Sequence, residues 1–145
     1  MNTIKFMKMR TNAKTPFKST KLAAGYDLSA AIDNPVLISP HTTVKIGTGL
    51  VIETPAGFFG AVFARSGIAT KEGLRPANAV GVIDEDYRGE IMVALHNDSE
   101  TTRIVEPGQR IAQLVFLPYV DGEFEEVENL SETERADGGF GHSGK

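Results

Sequence analysis

The sequence contains no cysteine, and its 145 residues include only three histidines. The absence of cysteine excludes disulfides, thiolate zinc sites and cysteine nucleophiles. His41, His96 and His142 are far apart in the sequence, which argues against a histidine metal cage. No apolar run approaches the roughly 20 residues that a membrane span needs, and no signal peptide opens the chain. We therefore expect a soluble, cytoplasmic protein with no membrane partner.

A clustered basic stripe is also missing. The formal net charge is −4, but residues 121–137 alone hold eight acids and one base. The remaining residues carry eleven acids and fourteen bases, so the body of the chain is weakly positive. This distribution suits a small anionic ligand, and it lacks the concentrated charge expected of a nucleic-acid-binding protein. We expect no direct nucleic-acid partner.

Short segments rich in β-branched and aromatic residues recur along the chain, separated by Gly, Pro, Asn or Asp. Alternation is clearest where Ile91, Val93 and Leu95 share one face, as in a half-buried strand. This pattern predicts an all-β fold, a jelly-roll-like sandwich or barrel, with at most two helical turns around 65–73. We expect one domain over 1–130 and a flexible Gly-rich arm over 131–145. The predicted strands are 4–9, 35–39, 42–47, 50–54, 58–64, 90–97, 101–106, 110–120 and 124–128.

Two stretches combine strand-like sequence with polar groups suited to a ligand. The first is AGYDLSA (24–30), where Asp27 is either an edge residue facing water or a functional carboxylate. The second is ARSGIA (64–69), where Arg65 offers a planar donor fork, Ser66 a hydroxyl and Gly67 room for close approach. At the start of a short helix these groups suit a phosphate, although a strand-ending turn with a surface arginine is the alternative. Ser66 is not a nucleophile, since it has no G-x-S-x-G context and no nearby histidine.

The most specialised stretch is NAVGVIDEDYRGEI (78–91). It predicts a hairpin whose tip carries Asp84, Glu85 and Asp86, three adjacent carboxylates that repel one another. A carboxylate that follows an apolar pair and is partly desolvated suits a general base. Tyr87 can pack against a ring-shaped ligand. A solvated acidic turn is the alternative, and a calcium loop fits less well because its later Gly and Glu are missing.

Two further stretches lie towards the end of the chain. Gln113, within PGQRIAQLVF (107–116), is an amide in an apolar run and needs a backbone or ligand partner. The tail RADGGFGHSGK (135–145) contains G-x-x-x-x-G-K, but it lacks the Ser or Thr and the helix that follow the lysine of a Walker A loop. Arg135 and the glycine N–H groups can still surround phosphates, and Phe140 can stack on a base. A disordered tail is the alternative.

In order and spacing, these five stretches resemble the five motifs of the trimeric dUTP diphosphatases (dUTPases). The resemblance runs from Ala24 to Lys145, and GVIDEDYRG is its most specific part. It implies hydrolysis of dUTP to dUMP and diphosphate by water attack on the α-phosphate. It also implies a jelly-roll homotrimer with sites shared between subunits, and Mg²⁺ as cofactor. Such an activity limits uracil incorporation into DNA and supplies dUMP for dTMP synthesis.

The resemblance also implies individual roles. Asp84 corresponds to the aspartate that activates the water, and Asp27 to the one that meets Mg²⁺ indirectly, through its waters. Ala136 stands where the family usually has glycine after the arginine of the closing arm. The uracil and deoxyribose contacts correspond to Asn78, Gly81, Val82, Ile83, Tyr87 and Phe140. The phosphate contacts correspond to Arg65, Ser66, Gly67, Gln113, Arg135, Gly141, His142 and Ser143.

Two alternatives share parts of this pattern. The dCTP deaminases have the same fold, but their deaminating glutamate aligns with Ala94, which cannot transfer protons. A nucleotide-binding regulatory protein would retain the binding residues without the need for turnover. The complete set of motifs favours the diphosphatase.

Overall fold

The computed structural model describes residues 3–137, and within them the chain forms eleven strands and one short helix. The all-β class expected from the sequence is therefore confirmed. The elements are β1 (Phe6–Lys8), β2 (Tyr26–Ser29), β3 (Val36–Ile38), β4 (Thr43–Gly47), β5 (Leu50–Ile52), β6 (Phe58–Phe63), α1 (Ser66–Glu72), β7 (Leu74–Pro76), β8 (Gly81–Ile83), β9 (Met92–Asn97), β10 (Arg103–Val105) and β11 (Arg110–Pro118).

The strands pair antiparallel in two larger sheets and two ribbons. One sheet has the order β2-β11-β6-β8 and the other β4-β9-β7, while β1 pairs with β5 and β10 with β3. The core joins both sheets, since Leu28 and Leu114 from the first and Val93 and Leu95 from the second belong to one buried cluster. Alternate residues of β9 are buried, as the sequence pattern predicted.

The helix α1 follows β6 after only two residues. It begins after Arg65, which has extended backbone angles, and ends at Gly73, whose φ of 73° is left-handed. Ile68 is its buried residue and anchors it to the core. The prediction of at most two helical turns around 65–73 is thus confirmed, and the helix places Arg65 and Ser66 just after the end of β6. Within residues 3–137, no helix has the length and apolarity that crossing a membrane requires.

Some strands differ from the sequence prediction. β2 and β7 are real strands, although neither was among the predicted segments. The predicted strand over 124–128 is wrong, because these residues are exposed, have no strand partner and include a fully exposed Phe124.

Candidate active site

Strand β6 separates two groups of functional residues. Its last residue, Phe63, is followed closely by Arg65, while its residues 60–62 pair with β8 in the register Gly60 to Ile83 and Val62 to Gly81. Asp84 follows Ile83 and so lies level with Phe59, at the opposite end of the strand. At about 3.3 Å per strand residue, the backbones of Arg65 and Asp84 are roughly 20 Å apart. One chain therefore does not bring the predicted base and the predicted phosphate-binding arginine together.

The arginine end is organised around Asp27. Its carboxylate is buried and accepts a hydrogen bond from Arg65 Nε at 2.8 Å on one oxygen. The other oxygen accepts from Arg110 Nη1 at 3.0 Å and from the Ser19 hydroxyl at 3.3 Å. Asp27 is thus not an edge residue facing water, since it holds two arginines in place. Sequence reasoning missed Arg110, whose only signal was its charge in the strand that carries Gln113.

The side-chain amide of Gln113 finds its hydrogen-bond partner within the protein. Its Nε2 donates to the carbonyl of Ala64 at 2.9 Å, which fixes the residue just before Arg65. Gly25 lies against the other side of this amide, where a Cβ would overlap the Gln113 side-chain oxygen. The backbone alternative for Gln113 is therefore the observed one. Above Gly67 the space is open, as a close ligand approach requires.

An open cavity of about 420 Å³ lies beside these arginines. Arg65 and Arg110 line it together with Lys14, Ser29 and Phe17. The Lys14 ammonium donates to the Gly108 carbonyl at 2.9 Å, so it is anchored at the cavity wall. Three cations and one buried carboxylate leave this region net positive, which suits an anion.

The acidic stretch forms a turn, but the predicted hairpin is wrong. Tyr87 N–H donates to the Asp84 carbonyl at 3.2 Å, which closes a turn over 84–87. The flanking strands do not pair with each other, because β8 joins β6 in one sheet while β9 joins β4 and β7 in the other. The turn therefore belongs to a connection that crosses between the two sheets, which exposes its carboxylates at their edge.

A second cavity, of about 290 Å³, lies where this connection leaves β8. Space is tight at Gly81, where a Cβ would approach Val62 to 3.2 Å and the Asn78 amide to 3.4 Å. The cavity contains every described residue that the sequence assigned to base and sugar recognition, together with Asp84. These lining residues are Asn78, Gly81, Val82, Ile83, Asp84 and Tyr87.

Among the three acids, only Glu85 is fixed by hydrogen bonds. Its Oε2 accepts from Gly57 N–H at 2.8 Å and from the Tyr119 hydroxyl at 3.0 Å. The Glu85 carboxylate raises the pKa of Tyr119 through that hydrogen bond, so the phenol stays protonated and continues to donate. Asp84 and Asp86 are exposed, so the expected desolvation of a carboxylate is not found within one chain. All three line an open cavity of about 710 Å³ with Arg88 and Tyr119.

The arm residues are described only in part. Arg135 and Ala136 are exposed, and Ala136 has a left-handed φ of 44°, a conformation that favours glycine. The sequence departure from the family's usual glycine therefore falls where a Cβ is unfavourable. Phe140, Gly141, His142 and Ser143, which the sequence also assigned to the site, lie outside the described residues.

One cavity of this all-β protein combines exposed backbone with an aromatic ring, and a cluster of arginines lies at the other end of β6. Such groups suit a ring-bearing anion such as a nucleotide. A sequence model of the dUTPase family matches residues 11–144. This chain is 50% identical over 149 residues to the deoxyuridine 5′-triphosphate nucleotidohydrolase of Desulfitobacterium hafniense, covering 99% of each protein. The chain belongs to the dUTPase family.

Other relatives agree with this assignment. The Acinetobacter baumannii deoxyuridine 5′-triphosphate nucleotidohydrolase is 43% identical over 145 residues, which cover 98% of this chain and 97% of that protein. The structure of the Staphylococcus bacteriophage 80alpha dUTPase with dUPNHPP superposes with a TM-score of 0.93 at 29% identity, covering 100% of both chains. The fold is therefore that of dUTPases.

The hydrogen bonds of Glu85 generate a prediction about the turn next to Asp84. Glu85→Ala removes the acceptor for Gly57 and Tyr119, so the position of the turn becomes less defined. Hydrogen bonds to a charged group are worth about 1.5–3 kcal/mol when buried, and less here because the site is open, so we expect kcat to fall about three- to tenfold. Steady-state dUTP hydrolysis measures the effect. Asp86→Ala is the matched control, and an equal loss in both variants would contradict the anchoring role.

Proposed function

We propose that this protein hydrolyses dUTP to dUMP and diphosphate, with Asp84 as the general base for water attack on the α-phosphate. Membership of the dUTPase family supports the reaction. The observation that carries the site is the cavity of about 290 Å³, which gathers the nucleoside-facing residues around Asp84. The same activity would remove dUTP before its uracil enters DNA and would supply dUMP.

The base and the sugar would occupy this cavity. The backbone of Gly81, Val82 and Ile83 offers N–H and C=O groups at a cavity edge, which suits hydrogen bonding to a uracil ring. Tyr87 faces the same cavity and presents a flat ring to the deoxyribose, where an extra 2′-hydroxyl would collide. Asn78 lines the same cavity, and Phe140 of the arm would stack on the base.

The triphosphate would be held by the arginine end of β6. Arg65 is already oriented through Nε by Asp27 and through Nη1 by the Arg110 carbonyl at 3.4 Å, so its Nη2 donors can meet a phosphate without reordering. Ser66 and Gly67 face open space beside it, and Gln113 fixes the backbone that leads into it. Arg135, Gly141, His142 and Ser143 of the arm would complete the phosphate contacts.

A divalent cation fits this site only in an indirect way. Within residues 3–137 no group of three or more His, Cys, Asp or Glu side chains could hold a metal ion by itself. Mg²⁺ usually keeps several waters and binds mainly to substrate phosphates, which needs no protein cage. Asp27, already paired with two arginines, is suited to contact such waters rather than the ion. When bound, Mg²⁺ would neutralise phosphate charge as the leaving group departs.

The chemical step needs one proton acceptor and good alignment. Asp84 takes a proton from the attacking water as the bond from that oxygen to the α-phosphorus forms. The bond from the α-phosphorus to the bridging oxygen breaks, and diphosphate leaves on the opposite side. Phosphoryl chemistry of this kind depends on positioning and charge neutralisation more than on covalent catalysis.

The separation of Arg65 from Asp84 supports a site shared between copies of the chain in a homotrimer with the jelly-roll fold. Since the two residues lie at opposite ends of β6, one triphosphate nucleotide at the Asp84 cavity needs its phosphate-binding arginine from another subunit. The segment after Pro118 supports the same arrangement. It leaves Val120, Phe124 and Leu130 almost fully exposed, as expected of a segment that contacts a neighbouring subunit.

The deaminase alternative is disfavoured by Ala94. This residue lines the same cavity as Asp84, at the position where the related deaminases carry their glutamate. The methyl group of Ala94 cannot transfer the protons that deamination requires. No feature of the described residues favours a purely regulatory role over catalysis.

The first test is substrate selectivity. We expect diphosphate release from dUTP with Mg²⁺, and little or none from dCTP, dTTP or UTP, because the cavity edge reads the base and Tyr87 reads the sugar. Diphosphate and ammonia are measured on the same samples. Ammonia from dCTP would mean that the protein is a deaminase. If none of the four nucleotides releases diphosphate or ammonia, the protein binds nucleotides without hydrolysing them.

The role of Asp84 is tested by Asp84→Asn. A general base typically contributes about 10²–10⁴-fold, so we expect kcat to fall by that factor while dUTP still binds. Turnover is measured with diphosphate release, and binding with isothermal titration calorimetry. Wild-type turnover in this variant would refute the assignment.

Site sharing is tested by mixing two inactive variants. Asp84→Asn and Arg65→Gln are each expected to be inactive as homotrimers. After co-refolding in equal amounts, about a quarter of the sites in random trimers combine an intact Asp84 with an intact Arg65 from a neighbour. Recovery of a comparable fraction of wild-type turnover supports the shared site. Failure to recover activity in mixed trimers, identified by mass spectrometry, would place both residues in sites of one chain.

A further inference from the structure

Beneath the proposed sugar pocket, an ion pair joins the N-terminal part of the chain to the end of the acidic connection. The Arg10 guanidinium contacts both carboxylate oxygens of Glu90, through Nη2 to Oε1 and through Nη1 to Oε2 at 3.4 Å. The Glu90 side chain is only 18% exposed, and its Oε1 also accepts from Gly49 N–H at 2.8 Å. The Glu90 carboxylate is therefore partly buried, and both of its oxygens contact the Arg10 guanidinium.

Two glycines make room for the pair. A Cβ on Gly47 would overlap the Glu90 carboxylate and lie 2.6 Å from Arg10 Nη2. Gly49 has a left-handed φ of 64°, and a Cβ there would lie 2.8 Å from that of Ala13. The absence of side chains at Gly47 and Gly49 thus leaves the space that the side chains of Arg10 and Glu90 occupy.

The pair connects directly to Tyr87. The Tyr87 hydroxyl donates to the backbone carbonyl of Glu90 at 2.9 Å. In a trans peptide the C=O and the following N–H point in opposite directions, and Ile91 N–H donates to Leu50 O at 2.8 Å. The Glu90 carbonyl is thereby directed away from β5 and towards the tyrosine, while the Glu90 side chain holds the same residue from the other side.

The Tyr87 ring has a second constraint. A Cβ on Gly89 would overlap the phenol oxygen, so the ring lies directly over this glycine. Tyr87 and Glu90 both line the cavity of about 290 Å³ that contains Asp84. The orientation of the ring in that cavity depends on where the Glu90 backbone is held.

We propose that Arg10 and Glu90 are positioning residues for Tyr87, and that their ion pair sharpens the discrimination between deoxyribonucleotides and ribonucleotides. The proposal rests on the proposed function, in which Tyr87 faces the sugar. Without its partner, the partly buried carboxylate of Glu90 is drawn towards water, and the carbonyl that holds the tyrosine moves with it. The ring then rejects a 2′-hydroxyl less strictly.

The experiment compares kcat and KM for dUTP and UTP in Arg10→Met, Glu90→Gln and the double variant. Both single variants are expected to lower the dUTP-to-UTP ratio of kcat/KM about three- to tenfold, and the double variant no further, because both remove one interaction. Arg10→Lys keeps the charge and is expected to recover part of the ratio. Lys5→Met is the matched control, since it removes the exposed Lys5–Glu53 pair beside β1 and is expected to leave the ratio unchanged.

Tyr87→Ala separates this proposal from the function on which it rests. If that variant keeps the wild-type ratio, Tyr87 does not read the sugar and the proposed role of the cavity fails. If Tyr87→Ala lowers the ratio but Arg10→Met and Glu90→Gln do not, the positioning role is overturned. Thermal melting of each variant accompanies the kinetics, and a lower melting temperature with an unchanged ratio would make the pair purely structural.

Discussion

The antiparallel register between β6 and β8 is the constraint on which the arrangement of the site depends. It places Asp84 at one end of β6 while the chain continues from the other end into Arg65. β6 is paired on both sides, with β11 and β8, and side-chain movement within one chain cannot close a backbone separation of roughly 20 Å. A site that uses both must combine two copies, and the exposed segment beyond Pro118 fits such an assembly.

At the arginine end of β6, a buried carboxylate offsets part of the positive charge. Asp27 lies on β2, and its buried carboxylate would be unfavourable there without the guanidinium groups of Arg65 and Arg110. In return it fixes the plane of both arginines before any ligand arrives. Gln113 adds a backbone restraint just before Arg65. Preorganised donors of this kind need no reordering as negative charge shifts during phosphoryl chemistry.

Local signals predicted much of this structure, and non-local pairing explains what they missed. The all-β class, the short helix after Arg65 and the acidic turn all follow from residues close in sequence. The hairpin at 78–91 was wrong because its first strand pairs with β6, more than fifteen residues away, and no local pattern reports that choice. The pairing of Arg110 with Asp27 spans 83 residues, so no local pattern in the sequence predicts it either. The segment 124–128 has strand-like composition, but composition does not supply a partner.

In the proposed site, the two ends of β6 carry different chemistry. The cavity around Asp84 is lined by backbone, by small residues such as Gly81 and Ala94, and by the Tyr87 ring, so a single chain sets the shape of the proposed nucleoside cavity. Around Arg65, the groups are charged and act at longer range. Selectivity for base and sugar should therefore be a property of the individual subunit, while turnover should depend on the assembly that unites the two ends. Substitutions that weaken subunit association should then reduce kcat/KM for all substrates alike and leave their ratios unchanged.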